Sequence, residues 1–154
     1  MRYLRAFLLS AALVLPAAAQ NSGILYAQKL VDNTLAKNSD VVILAMHVTP
    51  PKGSKNVIIA SNIGRIGKTA DEDDLRVINT GKPNLEVNTA GNHFEVELVL
   101  LDGAGKTIGA LGVVFNYKEG ADKAAMQKRA EQVRDELRAQ IPGRDKLFET
   151  VPWP

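Results

Sequence analysis

The chain has 154 residues, is 45% hydrophobic and 23% charged, and contains no cysteine. This length is enough for one domain with a hydrophobic core, and the lack of cysteine excludes a disulfide-stapled scaffold or a lipoprotein anchored through an N-terminal cysteine. Without Arg2 and Arg5, which lie in the leader described next, the 19 lysines and arginines fall to 17 and equal the 17 acidic residues. This balance gives no basic footprint for nucleic acid, so we predict no nucleic-acid partner.

The N-terminus has the pattern of a cleavable signal peptide. Arg2 and Arg5 form a basic n-region, residues 6–15 are apolar, and three alanines at 17–19 provide the small residues that signal peptidase requires. The apolar run is shorter than a membrane span. We therefore predict a signal peptide at residues 1–19 and one exported, soluble domain at residues 20–154, most simply in a bacterial periplasm.

The first half of the mature chain alternates helical and strand-like segments. Apolar spacing predicts a helix over 24–37, and a β-branched run predicts a buried strand over 41–48. A Pro/Gly-rich turn separates this strand from a second one over 56–61. After a glycine-containing loop, a short helix is expected over 70–79.

The second half predicts three more strands and a helix. The strands cover 85–88, 93–101 and 107–117, the last two joined by an Asp-Gly-containing hairpin. A helix with an apolar stripe follows over 120–140, and the tail is expected to be irregular. Consecutive hairpins imply an α+β domain with a five-stranded antiparallel sheet and long N-terminal and C-terminal helices.

The loop between the second strand and the short helix resembles a phosphate-binding loop and a calcium-binding loop, but its residues exclude both. Gly67-Lys68-Thr69 ends like a phosphate-binding loop, but the first glycine of that motif would stand at position 62, where the chain has Asn62. The four acids at 71–74 are consecutive and lack the central glycine of a calcium-binding EF-hand loop.

A capping role explains these acids better. Thr69 and Glu72 fit a capping box, and acidic residues in a first turn suit the positive end of the helix dipole. On this interpretation Leu75 and Ile78 face the core.

The order of several short motifs resembles that of extracellular Cache domains, which are PAS-like sensor domains. A strand ends at 59–62, Ile-Gly-Lys follows at 66–68, and a short helix ends in Thr-Gly-Lys at 80–82. The strand at 94–101 and the segment 102–113, with its Asp-Gly turn and Ile-Gly-Ala-Leu-Gly-Val sequence, are similar to the paired final strands of that fold. The resemblance covers roughly residues 24–140.

This resemblance implies a small-molecule pocket between the sheet and the segment that carries the loop and short helix. Cache-type domains commonly bind small carboxylates, amino acids or amines, and they are usually non-catalytic. We therefore expect no cofactor. They are typically flanked by membrane helices and a cytoplasmic signalling module, neither of which is seen in this sequence. The expectation is therefore a free-standing exported domain that binds a small organic ligand and passes its state to an unknown periplasmic or membrane protein partner.

Pairing Leu101 with Thr107 assigns residues of the last two strands to faces. An apolar face carries Phe94, Val96, Leu98, Leu100, Ile108, Ala110, Gly112 and Val114. A mixed face carries His93, Glu95, Glu97, Val99, Leu111, Val113, Phe115 and Tyr117.

If the mixed face lines the pocket, Glu95, Glu97 or Tyr117 could hold a cationic or hydroxyl group, and Arg65 or Lys68 a carboxylate. Asn62 completes the candidate ligand-binding set, which is Asn62, Arg65, Lys68, Glu95 and Tyr117. The alternative is that Glu97 faces water on a half-exposed sheet, while the sequence does not decide which way Glu95 faces. Arg65 and Lys68 would then belong to a solvated loop.

A different class of function uses His93, Glu95 and Glu97 as metal ligands in a small periplasmic metal-binding protein or enzyme. Zinc sites need three or four well-placed ligands, and the other histidine, His47, lies in an apolar strand and is expected in the core. No order of serine, histidine and aspartate indicates a catalytic triad. A homodimer through the N-terminal helix is a third option that the sequence leaves open.

Overall fold

A computed structural model describes residues 23–88 and 90–152; the predicted signal peptide, residues 1–19, lies outside them. The elements follow one another as β1 (Ile24–Leu25), α1 (Tyr26–Lys37), β2 (Val41–Val48), β3 (Val57–Ser61), α2 (Glu72–Thr80), β4 (Asn84–Asn88), β5 (His93–Leu101), β6 (Thr107–Asn116), α3 (Lys123–Arg138), a 3-10 helix (Arg144–Phe148) and β7 (Thr150–Val151).

The main sheet has five strands in the order β3-β2-β6-β5-β4, and every neighbouring pair is antiparallel. The α+β class and the five-stranded antiparallel sheet predicted from the sequence are confirmed. The two long helices, α1 and α3, pack on one face of the sheet. The short helix α2 and the loop before it lie over the other face.

The core lies between the sheet and the two long helices. Alternate residues of β2, β5 and β6 point towards the helices, as the period of two in a strand requires. Each large apolar side chain buried there contributes about 1.5–3 kcal/mol. The core includes Leu44, Met46, Val48, Phe94, Val96, Leu98, Leu100, Leu111, Val113 and Phe115 from the sheet, with Ala27, Leu30, Val31, Ala130, Val133 and Leu137 from the helices.

The face assignment predicted for β6 is wrong by one residue. Leu101 does pair with Thr107, but a bulge follows, so Leu100 pairs with Gly109 and Ile108 is passed over. A one-residue shift exchanges the two faces of a strand. Leu111, Val113 and Phe115 therefore belong to the helix-covered core, and Ala110, Gly112 and Val114 share the opposite face with His93, Glu95 and Glu97.

Helix α2 begins two residues later than the predicted capping box implied. The N-cap is Asp71, whose carboxylate accepts from the amides of Asp73 and Asp74, while the Asp74 side chain accepts from the Asp71 amide. The helix ends at Gly81, which takes the left-handed conformation with φ of 71°. Because of this register, Asp74 and Val77 are buried, whereas Leu75, predicted to face the core, is 43% exposed.

The C-terminal tail is more regular than predicted. Beyond its 3-10 helix, β7 pairs with β1, which joins both ends of the described chain in a small two-stranded sheet. None of the helices within residues 23–88 and 90–152 is both long and apolar enough to cross a bilayer.

Candidate functional site

A cavity of about 470 Å³ lies between the open face of the sheet and the segment formed by the β3–α2 loop and α2. This is the position that the Cache resemblance implied for a pocket. Its floor contains apolar side chains from the two central strands, including Ile43, Ala45 and Val114. Its other walls carry most of the polar side chains considered below, so the cavity has an apolar floor and a charged rim.

Gly112 at the centre of the floor makes room for a carboxylate. It pairs with Glu97 across β5 and with Ala45 across β2. A Cβ atom placed on Gly112 would lie 3.0 Å from Oε1 of Glu95. Because Gly112 has no side chain, the Glu95 side chain can lie flat against the sheet at this position.

His47 and Asp74 connect the sheet to α2 on one side of the cavity. Nδ1 of His47 lies 3.2 Å from Oδ2 of Asp74, and their side chains are 9% and 2% exposed. The geometry is not that of a regular hydrogen bond, and among the described residues neither His47 Nδ1 nor Asp74 Oδ1 has a hydrogen-bond partner. Buried polar atoms without partners are uncommon in folded proteins and call for an explanation.

Asp74 and Glu97 form a coupled pair of carboxyl groups. Burial, followed by the proximity and the charge of the Asp74 carboxylate, raises the pKa of Glu97 to about 8. Burial would raise the pKa of Asp74 too, but the adjacent His47 and Glu97 side chains and the hydrogen bond from the Asp71 amide outweigh it and lower the pKa to about 2. This raised pKa favours the protonated form of Glu97 near neutral pH.

The remaining contacts fix the orientation of Glu97 from the side of β4. Nδ2 of Asn84 donates to Oε2 of Glu97 at 3.2 Å. Glu97 is 8% exposed, so the expectation that it faces water is wrong. Burial also raises the pKa of neighbouring Glu95, with further contributions from the charges of Glu86 and Asp74.

The β3–α2 loop supplies the positive charges of the cavity. Arg65 has a φ of 62°, and Gly64 and Gly67 beside it also have positive φ values. Backbone hydrogen bonds hold the loop to β3, since the amide of Ile58 donates to Lys68 and that of Gly67 donates to Ile58. Within the described part of the chain, the side chains of Arg65 and Lys68 form no salt bridge.

Three of the five candidate ligand-binding residues line this cavity, namely Arg65, Lys68 and Glu95. Asn62 instead ties β3 to β2, because its side chain accepts from the Leu44 amide and donates to the Val42 carbonyl. Whether any of the three binds a ligand stays a prediction.

Tyr117 lies away from the cavity. Its ring packs 5.9 Å from that of Phe94, centroid to centroid, and the Lys123 ammonium lies 5.6 Å from its centre. The structure therefore does not bring Tyr117 together with Arg65, Lys68 and Glu95. The shifted register of β6 explains the difference.

Two buried polar residues of the cavity, His47 and Asp74, were not among the candidates. His47 was assigned to the core, yet it alternates with Leu44, Met46 and Val48 and so shares the cavity face with Ala45. Asp74 was interpreted only as one of four acids that suit the positive end of the helix dipole. Its spacing from Val77, which places both on one side of a helix, is the signal that would have identified it.

The alternative metal site receives mixed support. His93, Glu95 and Glu97 all line the cavity, as their alternation along one strand predicted. In residues 23–88 and 90–152, however, no group of three histidine, aspartate or glutamate side chains is placed to hold a metal ion.

Neither a protein-family model nor a curated protein sequence matches the chain. Solved structures do match its fold. A putative GAF sensor protein from Burkholderia vietnamiensis has a TM-score of 0.55 at 9% identity, over 78% of this chain and 76% of that one. The Agobacterium tumefaciens repressor BlcR has a TM-score of 0.53 at 11% identity, over 77% and 68%.

A third similar structure is the GAF domain of A. aeolicus nlh2 in an inactive state. Its TM-score is 0.53 at 15% identity, and the match covers 75% of this chain and 83% of that chain. At such identities these similarities establish the fold and nothing finer. The chain therefore has a GAF/PAS-like fold.

Proposed function

We propose that this protein is an exported, non-catalytic domain that binds a small organic ligand in the cavity under α2 and transmits the bound state to a partner protein. The cavity itself carries the proposal, because it is concave, mixes apolar and charged walls, and contains buried polar atoms without partners among the described residues. Small-molecule sites typically combine an apolar lining with a few convergent polar groups.

The segment that covers the cavity is also suited to report occupancy. It is attached to the sheet by the His47–Asp74 contact and by Arg76 of α2, whose Nη2 donates to Oδ1 of Asn84, the residue that also bonds Glu97. A ligand that contacts Asp74 or Glu97 would change these attachments. A partner that recognises the outer surface of α2 could then distinguish the two states.

Export rests on the leader pattern of residues 1–19 and on the resemblance to Cache-type domains, with residues 20–154 as the mature domain. The proposed partner is a periplasmic or membrane protein, and the ligand is a carboxylate, amino acid or amine. A homodimer through α1 would be an additional arrangement. Expression from the full-length gene, fractionation and N-terminal sequencing would test export, which predicts a mature start at Gln20.

A thermal-shift screen of the exported protein tests ligand binding. A ligand that binds only the native state raises Tm in a concentration-dependent manner. The screen should contain amino acids, small carboxylates and amines, and hits should be repeated with Glu95→Ala. If no compound of a broad metabolite library raises Tm, the proposal fails.

The second candidate, a periplasmic metal-binding protein or enzyme, is favoured by one observation. His93, Glu95 and Glu97 lie on the same wall of the cavity. Metal analysis of the purified protein separates the two candidates. Stoichiometric metal that is lost in His93→Ala would support the second one.

A further inference from the structure

The charge of the cavity is strongly one-sided. Its basic side chains are Arg65 and Lys68 with the imidazoles of His47 and His93, and its carboxyl groups are those of Asp71, Asp73, Asp74, Glu86, Glu95 and Glu97. One of them, Asp73, is neutralised by Arg76. The others leave an excess of acceptor oxygens over cationic donors around the space that a ligand would occupy.

A buried oxygen without a hydrogen-bond donor indicates where a donor group of a ligand would bind. Asp74 is 2% exposed and lines the cavity, yet its Oδ1 has no hydrogen-bond partner in the described part of the chain. Leaving a buried acceptor without a donor costs about 1–3 kcal/mol. A hydrogen-bond donor on a bound ligand would satisfy this atom.

We propose, building on the ligand-binding function above, that the cavity recognises a protonated amino group on a short aliphatic chain, with Asp74, Glu97 and Glu95 as its subsite. An ammonium group carries three donors and no acceptor. It can therefore satisfy Asp74 Oδ1 and bond the two glutamates at the same time. Charge-assisted hydrogen bonds of this kind are among the strongest in proteins.

Other occupants fit this end of the cavity less well. A carboxylate placed there would meet two or three carboxyl groups and no lysine or arginine, because Arg65 and Lys68 lie in the loop, and the nearby His47 imidazole already faces Asp74. A divalent metal such as Ca²⁺ takes six to eight oxygen ligands, and no such cluster is present among the described residues.

The rest of the cavity suits an aliphatic ligand body. Ile43, Ala45, Ile58, Ile63 and Val114 line it. Arg65 and Lys68 are available for a second, anionic group. The recognised group is thus an alkyl ammonium, which either a simple amine or an amino acid would provide. Only the amino acid, through its carboxylate, would also contact Arg65 or Lys68.

Binding should be coupled to release of a proton. Burial and the nearby Asp74 carboxylate raise the pKa of Glu97, and an ammonium placed beside both carboxyl groups favours the charged form of Glu97. Affinity should then increase with pH up to the pKa of Glu97. The charged and titratable groups that share the cavity are His47 on β2, Arg65 and Lys68 in the loop, Asp71, Asp73 and Asp74 at α2, Glu86 on β4, and His93 and Glu95 on β5.

Three four-carbon probes isolate the recognised group: butylamine, 4-aminobutyrate and butyrate. Titration calorimetry with the exported protein should show binding of butylamine or 4-aminobutyrate, or both, but not of butyrate. Between about pH 6 and pH 7.5 the affinity should rise up to about tenfold per pH unit, as linkage to one proton requires. Buffers with different ionisation enthalpies should report about one proton released.

Glu97→Gln is the decisive variant, because it has nearly the same shape as the protonated glutamate and is expected to fold. It should weaken amine binding at about pH 8 by about tenfold or more and remove the pH dependence. Glu119→Gln, an exposed residue outside the cavity, is the matched control and should bind like the wild type. Arg65→Ala should weaken 4-aminobutyrate but not butylamine if the natural ligand is an amino acid.

Several outcomes would overturn the inference. These are preferential binding of butyrate, binding of neither ammonium probe, tighter binding of Ca²⁺ or Zn²⁺ than of either ammonium probe, or amine binding that Glu97→Gln leaves unchanged. The broad metabolite screen keeps these failures separate from failure of the proposed function. A carboxylate hit there would preserve a ligand-binding domain while removing the amine assignment.

Discussion

His47 on β2 and Asp74 on α2 approach within 3.2 Å, Nδ1 to Oδ2, and join the covering helix to the sheet at a buried position. His47→Gln removes the imidazole next to a buried carboxylate. We expect a loss of about 1–3 kcal/mol in the free energy of unfolding, the usual cost of leaving such a group without its partner. Urea denaturation at neutral pH measures this value. The amide hydrogen-exchange rate should increase more in α2 than in the other elements.

His93→Gln is the matched control for this experiment. His93 also lines the cavity, but it is half-buried, and the described residues provide it with no salt bridge. Its substitution should change the unfolding free energy by less than about 0.5 kcal/mol. Equal losses in the two variants would show that the His47–Asp74 contact has no special role in holding α2.

Glu97 should make the protein less stable as pH rises. Its native pKa is raised to about 8, so between the unfolded value near 4.5 and that point the native state binds more protons than the unfolded state. Stability linked to this group is complete below the unfolded pKa and is lost as pH increases through the native pKa. Glu97→Gln removes the titration and should be more stable than the wild type by at least about 1 kcal/mol at pH 8.

The same comparison at about pH 5 should give nearly equal stabilities, because the wild-type glutamate is then protonated in the native state. Asp74, whose pKa is lowered, contributes its own dependence only below its unfolded value of 3.8 and so does not interfere. Unfolding free energies from urea titrations at the two pH values test this. A constant difference between Glu97→Gln and the wild type would mean that Glu97 is ionised throughout.

Much of the architecture could be predicted from the sequence because its elements have clear periods and boundaries. β2 and β5 were placed at their observed bounds, and alternation within β5 correctly put His93, Glu95 and Glu97 on one face. The faces of β6 could not be predicted in this way. Residues 108–115 are glycine or apolar throughout, so either register leaves two apolar faces, and the bulge after Leu100 has no signal in the alternation.

The site was predicted less completely than the fold, for a related reason. Acids at the start of a helix are usually solvated, and three of the four at 71–74 follow that rule to differing degrees. The fourth, Asp74, is buried because α2 is capped by Asp71 and not by Thr69. A helix start that is misplaced by two residues rotates the side-chain directions by about 200°, enough to turn a core-facing residue outwards.

The position of the α2 cap can be tested by comparing two alanine variants. Asp71→Ala removes a carboxylate that accepts from the Asp73 and Asp74 amides, and should cost about 1 kcal/mol. Thr69→Ala should cost less than about 0.5 kcal/mol, since Thr69 is exposed and its bridge to Val57 uses the backbone. Thermal and urea unfolding of both variants would check this, and the opposite ranking would restore the capping box predicted from the sequence.

The two glycines of the Ile-Gly-Ala-Leu-Gly-Val sequence should differ in what their substitution disturbs. A Cβ on Gly109 would lie 2.0 Å from the carbonyl oxygen of His47, which is backbone within the sheet and cannot move independently. Gly109→Ala should therefore cost about 3 kcal/mol or more, at or beyond the upper end of overpacking effects.

A Cβ on Gly112 meets the end of the Glu95 side chain at 3.0 Å, and this carboxylate can rotate away. We expect Gly112→Ala to cost less than about 1 kcal/mol. The displaced carboxylate would then occupy cavity space and leave the proposed amine subsite, so butylamine binding should weaken severalfold. Urea unfolding and calorimetry on the two variants separate the effects. If Gly112→Ala destabilises the fold as much as Gly109→Ala and leaves binding intact, Gly112 serves the packing of the sheet and not the shape of the site.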